Sequence, residues 1–176
     1  HSDVPKCMEK YGIGYGYIAY KTTLNRDYKD VKLTLETLGD RAQIYINKEL
    51  IDVLYINDSL ETVFSARKGD TLTILCENMG RTNFGPKMMR KKGIDGRCLL
   101  GGKVHFNWNV YTLPMDNLEN VVYSGEIPEE VSRFYKGSFT VDKCADTFLY
   151  LDSFKKGFVV INGFNLGRYW EIGPQK

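Results

Sequence analysis

Apolar and polar residues alternate with a period of two through most of the chain, and this pattern constrains the fold more than any other feature. The alternating segments are short, are rich in β-branched and aromatic residues, and are separated by turn signals such as Asn162-Gly163. Many short antiparallel strands at such spacing predict an all-β sandwich or jelly roll. The segments lie at 15–22, 31–38, 42–47, 70–78, 102–113, 137–141, 146–152 and 157–162.

Two stretches of the chain, 31–54 and 147–170, repeat one pattern. In each, an alternating strand reaches a charged turn, a second strand ends in Ile-Asn, and a return strand carries a leucine, which is Leu50 or Leu166. We therefore predict two β-modules, the first at 1–114 and the second, with its linker, at 115–176. Only 14 residues follow Asn162, the Asn of the second Ile-Asn pair. We therefore expect the second jelly roll to be incomplete and the chain to be a fragment of a longer protein.

The composition is that of an ordinary globular protein. Its formal net charge of +2 indicates neither nucleic-acid binding nor membrane binding, and we interpret the basic run at 87–92 as a solvated loop. No segment approaches the roughly 20 apolar residues of a membrane span. The 12 Tyr, 9 Phe and 2 Trp favour strands and also suit a sugar-binding surface, where aromatic rings stack on sugar rings.

Metal, redox and cofactor chemistry are not indicated. The only histidines are His1 and His105, and no C-x-x-C pair occurs among the cysteines, so we expect no metal site and no cofactor. Reduced thiols buried in the core are the simpler interpretation, and they favour a cytoplasmic location or an anaerobic source. The four cysteines are Cys7, Cys76, Cys98 and Cys144.

No catalytic residue can be assigned from the sequence. A glycosidase needs two facing carboxyl groups, but most of the glutamates lie in charged turns. Glu77 ends a strand four residues before Arg81, and this spacing predicts an ion pair or a turn hydrogen bond that fixes the following loop. A Gly-x-Ser-x-Gly turn for nucleophilic catalysis is absent.

Two stretches combine aromatic rings with the planar polar groups that bind sugars. The first is the loop at 77–86, and the second is the C-terminal hairpin at 157–170. Each is either a sugar-binding surface or a surface buried against a neighbouring domain, because interfaces also favour aromatic residues and arginine. The candidate residues are Arg81, Asn83 and Phe84 in the loop, and Asn165, Arg168, Tyr169 and Trp170 in the hairpin.

Five segments along nearly the whole chain form a characteristic series: "EKYGIGYGYIAYKTTL", "DRAQIYINKELIDVL", "ENMGRTNFGP", "KKGIDG" and "DTFLYLDSFKKGFVVINGFNLGRYWEIGPQ". In sequence and in order they resemble the β-galactosidases of glycoside hydrolase family 35. The resemblance implies two galactose-binding-like jelly rolls that follow a catalytic (β/α)8 barrel. That barrel carries both catalytic glutamates, and no position here matches either motif. The chain itself is therefore expected to be inactive.

The resemblance implies descent from a retaining enzyme that releases terminal β-galactose. The leading hypothesis is a non-catalytic region that packs on its own barrel and shapes the rim of the active site. In this hypothesis Phe84 presents its ring to the sugar on the leaving-group side, and Arg81 and Asn83 hold the loop. The alternatives are an autonomous carbohydrate-binding module for galactosides and an interaction scaffold.

Overall fold

The computed structural model describes residues 1–123 and 132–172. The chain divides into two compact units, His1–Lys136 and Gly137–Lys176. The described residues of the first unit contain a short 3-10 helix, Met8–Tyr11, and nine strands. They are β1 Tyr17–Thr23, β2 Tyr28–Leu35, β3 Arg41–Ile46, β4 Glu49–Tyr55, β5 Glu61–Ala66, β6 Thr71–Glu77, β7 Cys98–Leu100, β8 Lys103–Val104 and β9 Asn109–Leu113.

These nine strands form two antiparallel sheets. The larger sheet has the order β4-β3-β6-β1-β9, and the smaller one has the order β5-β2-β7-β8. Burial alternates along β1 and β6, so one face of the larger sheet points inward, as the period of two predicts. The prediction of an all-β fold is therefore confirmed.

The core of the first unit lies between the two sheets. It combines Ile18, Ile44 and Ile74 of the larger sheet with Leu33 and Leu100 of the smaller one, all of them 2% exposed or less. Such side chains contribute roughly 1.5–3 kcal/mol each on burial. Because this core is continuous, the first unit is a β-sandwich.

Three of the four cysteines are buried, as predicted, and Cys144 is exposed, contrary to the prediction. Burial, together with the nearby thiol of Cys98, raises the pKa of Cys76. Burial also raises the pKa of Cys98 to about 12. Because Cys76 is on β6 and Cys98 is on β7, this proximity shows the two sheets facing each other.

The described part of the second unit contains one hairpin, formed by β10 (Lys156–Ile161) and β11 (Phe164–Trp170). It repeats the β3–β4 hairpin residue for residue, with an offset of 115. Both have a two-residue turn that begins with a left-handed Asn, φ 55° at Asn47 and 50° at Asn162. In both, the register shifts three residues before that Asn. The repeat is thus confirmed for the hairpin.

The structure corrects the alignment of the two return strands and three of the predicted strands. When the two hairpins are compared at the offset of 115, Leu166 is equivalent to Ile51 and not to Leu50. Segments 137–141 and 146–152 are largely exposed and form no strand, because an alternating segment becomes one only when another backbone pairs with it. The predicted strand 102–113 is interrupted at 105–107, where Asn107 has a φ of 69° that ends an extended backbone.

Candidate functional site

Residues 78–97, here called the 78–97 loop, cross from β6 of the larger sheet to β7 of the smaller one. The beginning of the loop is fixed by short hydrogen bonds. The Asn78 side-chain amide donates to the Gly14 carbonyl at 2.8 Å, and the Met79 amide donates to Asp40 Oδ2 at 2.8 Å. The side chain of Asn78 and the backbone amide of Met79, directly after the end of β6, therefore both have hydrogen-bond partners.

Glu9 holds both ends of the 78–97 loop. Its Oε1 accepts a hydrogen bond from Arg81 Nη1 at 2.8 Å, and both of its oxygens accept from the Lys92 amide at 3.2 Å. Burial raises the pKa of Glu9, but hydrogen bonds from Arg81 and from backbone amides outweigh it and hold that pKa below its ordinary value. Arg81 Nη2 also donates to the Gly14 carbonyl at 3.1 Å, so both terminal nitrogens of its guanidinium form hydrogen bonds within the first unit.

Lys92 is buried at the end of the basic run that the sequence analysis interpreted as a solvated loop. Its Nζ donates to both oxygens of Asp40, at 2.7 and 2.6 Å, and its side chain is 4% exposed. The interpretation is wrong for Lys92, because the carboxylate of Asp40, 52 positions away in the sequence, compensates the cost of burying its charge. Next to it, Gly93 has a φ of 77°, and a Cβ there would lie 2.5 Å from Tyr20 Oη, so the close approach requires glycine.

The predicted contact between Glu77 and Arg81 is replaced by two ion pairs with other partners. Glu77 lies opposite Arg41 in the β3–β6 register and accepts a hydrogen bond from Arg41 Nη1 at 3.5 Å. Arg81 pairs with Glu9, as described above. Arg81 therefore does fix the loop, but it does so through a carboxylate 72 positions away in the sequence.

The tip of the 78–97 loop presents large apolar side chains to solvent. Phe84 is 87% exposed, Met89 is 81% exposed and Met88 is 53% exposed. Asn83 is exposed beside them, as are Lys87 and Lys91. The structure thus separates the predicted residues by role: Arg81 anchors the base of the loop, whereas Asn83 and Phe84 stand at its accessible end.

The second group of predicted residues lies on β11 of the second unit. The Asn165 side chain accepts a hydrogen bond from the Gly167 amide at 2.8 Å, so it supports the bend of its own strand. Tyr169 contacts the edge of Phe154 with 6.2 Å between ring centroids, and Lys156 Nζ lies 5.0 Å from the Trp170 ring centroid. Arg168 is exposed. These contacts place Tyr169 and Trp170 in the packing of the hairpin.

A cavity of about 280 Å³ lies at the opposite end of the sandwich, beside the loop between β1 and β2. The cavity was not predicted from the sequence, because five of its eight lining residues lie in the predicted continuous strand 102–113. No local signal in the sequence marks the cavity, because polar and apolar residues alternate without interruption from Lys103 to Val110. The lining residues are Asn25, Arg26, Tyr28, Lys103, Val104, His105, Phe106 and Asn107.

Within residues 1–123 and 132–172, no group of three His, Cys, Asp or Glu side chains could hold a metal ion. The same residues contain no helix long and apolar enough to span a membrane.

Two family models match this chain. Residues 5–114 match the model described as "Beta-galactosidase, first all-beta domain", which covers the sandwich and the 78–97 loop. Residues 132–176 match the model described as "Beta-galactosidase, galactose-binding domain", which includes the β10–β11 hairpin.

Curated relatives give the same result. The chain is 34% identical over 178 residues to the β-galactosidase of Xanthomonas manihotis and 32% identical over 197 residues to β-galactosidase 1 of Dictyostelium discoideum. Each alignment covers 98% of the chain and 29% of the relative. The bovine β-galactosidase is 32% identical over 186 residues, which are 92% of the chain and 28% of that enzyme. The chain thus spans less than a third of the length of these relatives.

Proposed function

Because this chain belongs to the β-galactosidase family, and is a non-catalytic β-domain region of it, we propose that the 78–97 loop packs against the catalytic barrel of the parent enzyme. In that position the tip of the loop helps to form the rim of the active site. The parent enzyme is a retaining exo-β-galactosidase that releases terminal β-galactose, and this region influences which leaving group it accepts.

The observation that carries the proposal is the contrast between the two ends of the loop. The base is held by Glu9, Asn78 and Lys92 through side-chain hydrogen bonds and ion pairs. The tip exposes Phe84 and Met89 almost completely. Large exposed apolar side chains on a firmly held loop are typical of an interaction surface, because leaving them in water costs free energy.

The carboxylates near the loop support a non-catalytic role. Retention requires two carboxyl groups about 5–5.5 Å apart, one of them able to act as an acid. Glu9 is held by Arg81 and the Lys92 amide, Glu77 by Arg41, and Asp40 by Lys92. Each of these carboxylates has a cation as its partner, so we assign the acid/base and nucleophile roles to the barrel of the parent enzyme.

The positions of Arg81, Asn83 and Phe84 divide their roles in the proposed rim. Arg81 is a positioning residue, because its guanidinium contacts Glu9 and Gly14 and holds the loop. Phe84 is the residue that offers a ring face to the sugar on the leaving-group side, and Asn83 offers an amide next to it. An aromatic ring contributes contact area with little loss of side-chain entropy, which suits a specificity surface.

The test uses the full-length enzyme with Phe84→Ala, and with Tyr111→Ala as a control for an exposed ring on β9. We expect Phe84→Ala to change the ratio of kcat/KM values between β1,3-, β1,4- and β1,6-linked galactosides by about threefold or more, while Tm stays unchanged. Tyr111→Ala should leave the ratios unchanged. Unchanged ratios with a lower Tm for Phe84→Ala would make it a packing residue and refute its role at the rim.

A further inference from the structure

The cavity beside the β1–β2 loop has a character different from that of the 78–97 loop. The β1–β6 and β1–β9 registers place the end of β1 and the start of β9 at one end of the sheet, and the 78–97 loop leaves from the other. The cavity is lined by residues 25–28 and 103–107 and has a volume of about 280 Å³. Its size suits one sugar unit.

Two cations line the cavity, and no carboxylate does. Arg26 and Lys103 are both exposed and form no ion pair among residues 1–123 and 132–172. The carboxylate of Asp27, the acid next in sequence to Arg26, accepts a hydrogen bond from the Lys68 amide at 2.8 Å. The charge of the lining therefore favours an anionic ligand.

Arg26 is held in place by an aromatic ring. Its guanidinium carbon lies 4.9 Å from the ring centroid of Tyr28, which is itself buried. A guanidinium stacked in this way keeps its N–H groups free to donate, and its planar fork matches a carboxylate or a sulfate. Stacking also reduces the entropy that Arg26 would lose on binding a ligand.

The opposite wall of the cavity includes residues 105–107, which lie between two strands and are held by contacts with neighbouring residues. His105 is buried, its Nε2 lies 3.0 Å from Thr22 Oγ1, and its ring contacts Trp108 edge-on. Asn107 adopts a φ of 69°, and its amide donates to the Asp3 carbonyl at 3.1 Å. Between these anchors Phe106 is 53% exposed and lines the cavity.

We propose that this cavity is a binding site for an acidic sugar, separate from the 78–97 loop. Arg26 and Lys103 bind the acid group, Phe106 stacks on the sugar ring, and Asn25 and Asn107 bind its hydroxyl groups. The preference for an anion follows from the cavity itself, whereas the choice of a saccharide over other acids rests on the proposed function.

The test is titration calorimetry of the 176-residue chain with D-galacturonate, D-galactose and sodium sulfate at matched ionic strength. We expect D-galacturonate to bind one site, D-galactose to bind at least about tenfold more weakly, and added NaCl to weaken the binding of D-galacturonate. Arg26→Gln and Phe106→Ala should each weaken D-galacturonate binding by about tenfold or more. Lys48→Gln, which removes an exposed cation from the β3–β4 turn, should have no effect.

Three results would overturn the proposal. Equal affinity for D-galactose and D-galacturonate would remove the role of the cations. Sulfate binding as tight as that of D-galacturonate, together with no effect of Phe106→Ala, would indicate a simple anion site. No heat with any of the three probes would show that the cavity binds none of them. The specificity test with Phe84→Ala uses another readout, so either proposal can fail alone.

Discussion

Lys156 Nζ lies 5.0 Å from the ring centroid of Trp170. At the equivalent position of the β3–β4 hairpin, the guanidinium carbon of Arg41 lies 5.7 Å from the ring centroid of Tyr55. Both pairs join the first residue of one strand to the last residue of its partner. The repeat therefore preserves a cation over an aromatic ring at the open end of each hairpin. In the first unit β6 adds Glu77 opposite Arg41, and the pair becomes a triad.

Arg41→Met is predicted to destabilise the chain by about 3 kcal/mol, because it leaves the carboxylate of Glu77 buried without its arginine. Urea denaturation followed by tryptophan fluorescence would measure the loss. The double variant Arg41→Met with Glu77→Gln should recover most of it. If the double variant is as unstable as the sum of the two single variants, the two side chains act independently.

Asn47 is predicted to stabilise the first unit both through its backbone and through its side chain. Its Oδ1 accepts from the Thr71 amide at 3.0 Å, and its Nδ2 donates to Asp70 Oδ1 at 3.1 Å. Asn47→Gly keeps the left-handed turn but loses these hydrogen bonds, at a cost of about 1 kcal/mol. Asn47→Ala also strains the turn, so its cost should be about 2 kcal/mol.

The free energies of unfolding of these two variants, measured in urea, separate the contributions of backbone and side chain. Equal losses for Asn47→Gly and Asn47→Ala would show that the left-handed φ contributes nothing. Lys48→Gln alters the neighbouring exposed position of the same turn and serves as the control.

The hairpins could be predicted from the sequence because their determinants are local. Alternation defines the strands, and an Asn that tolerates positive φ defines the turn, as at Asn47 and Asn162. Segments 137–141 and 146–152 show the limit of this reasoning. Alternation says that a segment can enter a sheet, but a strand also needs a partner to which its backbone can bond.

For the 78–97 loop, the exposure of Phe84 could be predicted from the sequence, but the contacts that hold the loop could not. Phe84 stands out in the sequence as an aromatic residue in a polar loop, and the structure exposes it. The anchors of the loop could not be found in this way, because Arg81 reaches Glu9 across 72 positions and Lys92 reaches Asp40 across 52. Such pairings depend on the arrangement of the strands, which local spacing does not determine.

Cys144 is predicted to be the one cysteine that reacts rapidly in the folded chain. It is exposed, whereas Cys7, Cys76 and Cys98 are buried and burial raises the pKa of each of their thiols. At pH 8, Ellman's reagent should modify about one thiol per chain, and the others should react only in denaturant. Cys144→Ser should abolish the rapid reaction. A second thiol reacting at the rate of Cys144 would contradict the buried placement of the other three.

The anchoring of the 78–97 loop by Glu9 is predicted to be lost in acid. Hydrogen bonds outweigh burial and hold the pKa of Glu9 below its ordinary value of 4.5, so the folded state binds this proton more weakly than the unfolded chain does. The resulting stabilisation is present above pH 4.5 and disappears as the pH falls through the lowered pKa. Melting curves from pH 7 to pH 3 should therefore show a steeper loss of Tm for the wild type than for Glu9→Gln.

The comparison with Glu9→Gln isolates this residue, because Glu36, Glu61 and Asp70 also have lowered pKa values and contribute to acid unfolding in both proteins. Hydrogen exchange adds a local readout. As the pH falls, the amides at 79–92 should lose protection in the wild type, since protonated Glu9 no longer holds Arg81 as an ion pair. Parallel Tm profiles for the two proteins, with unchanged protection of the loop, would show that Glu9 does not anchor it.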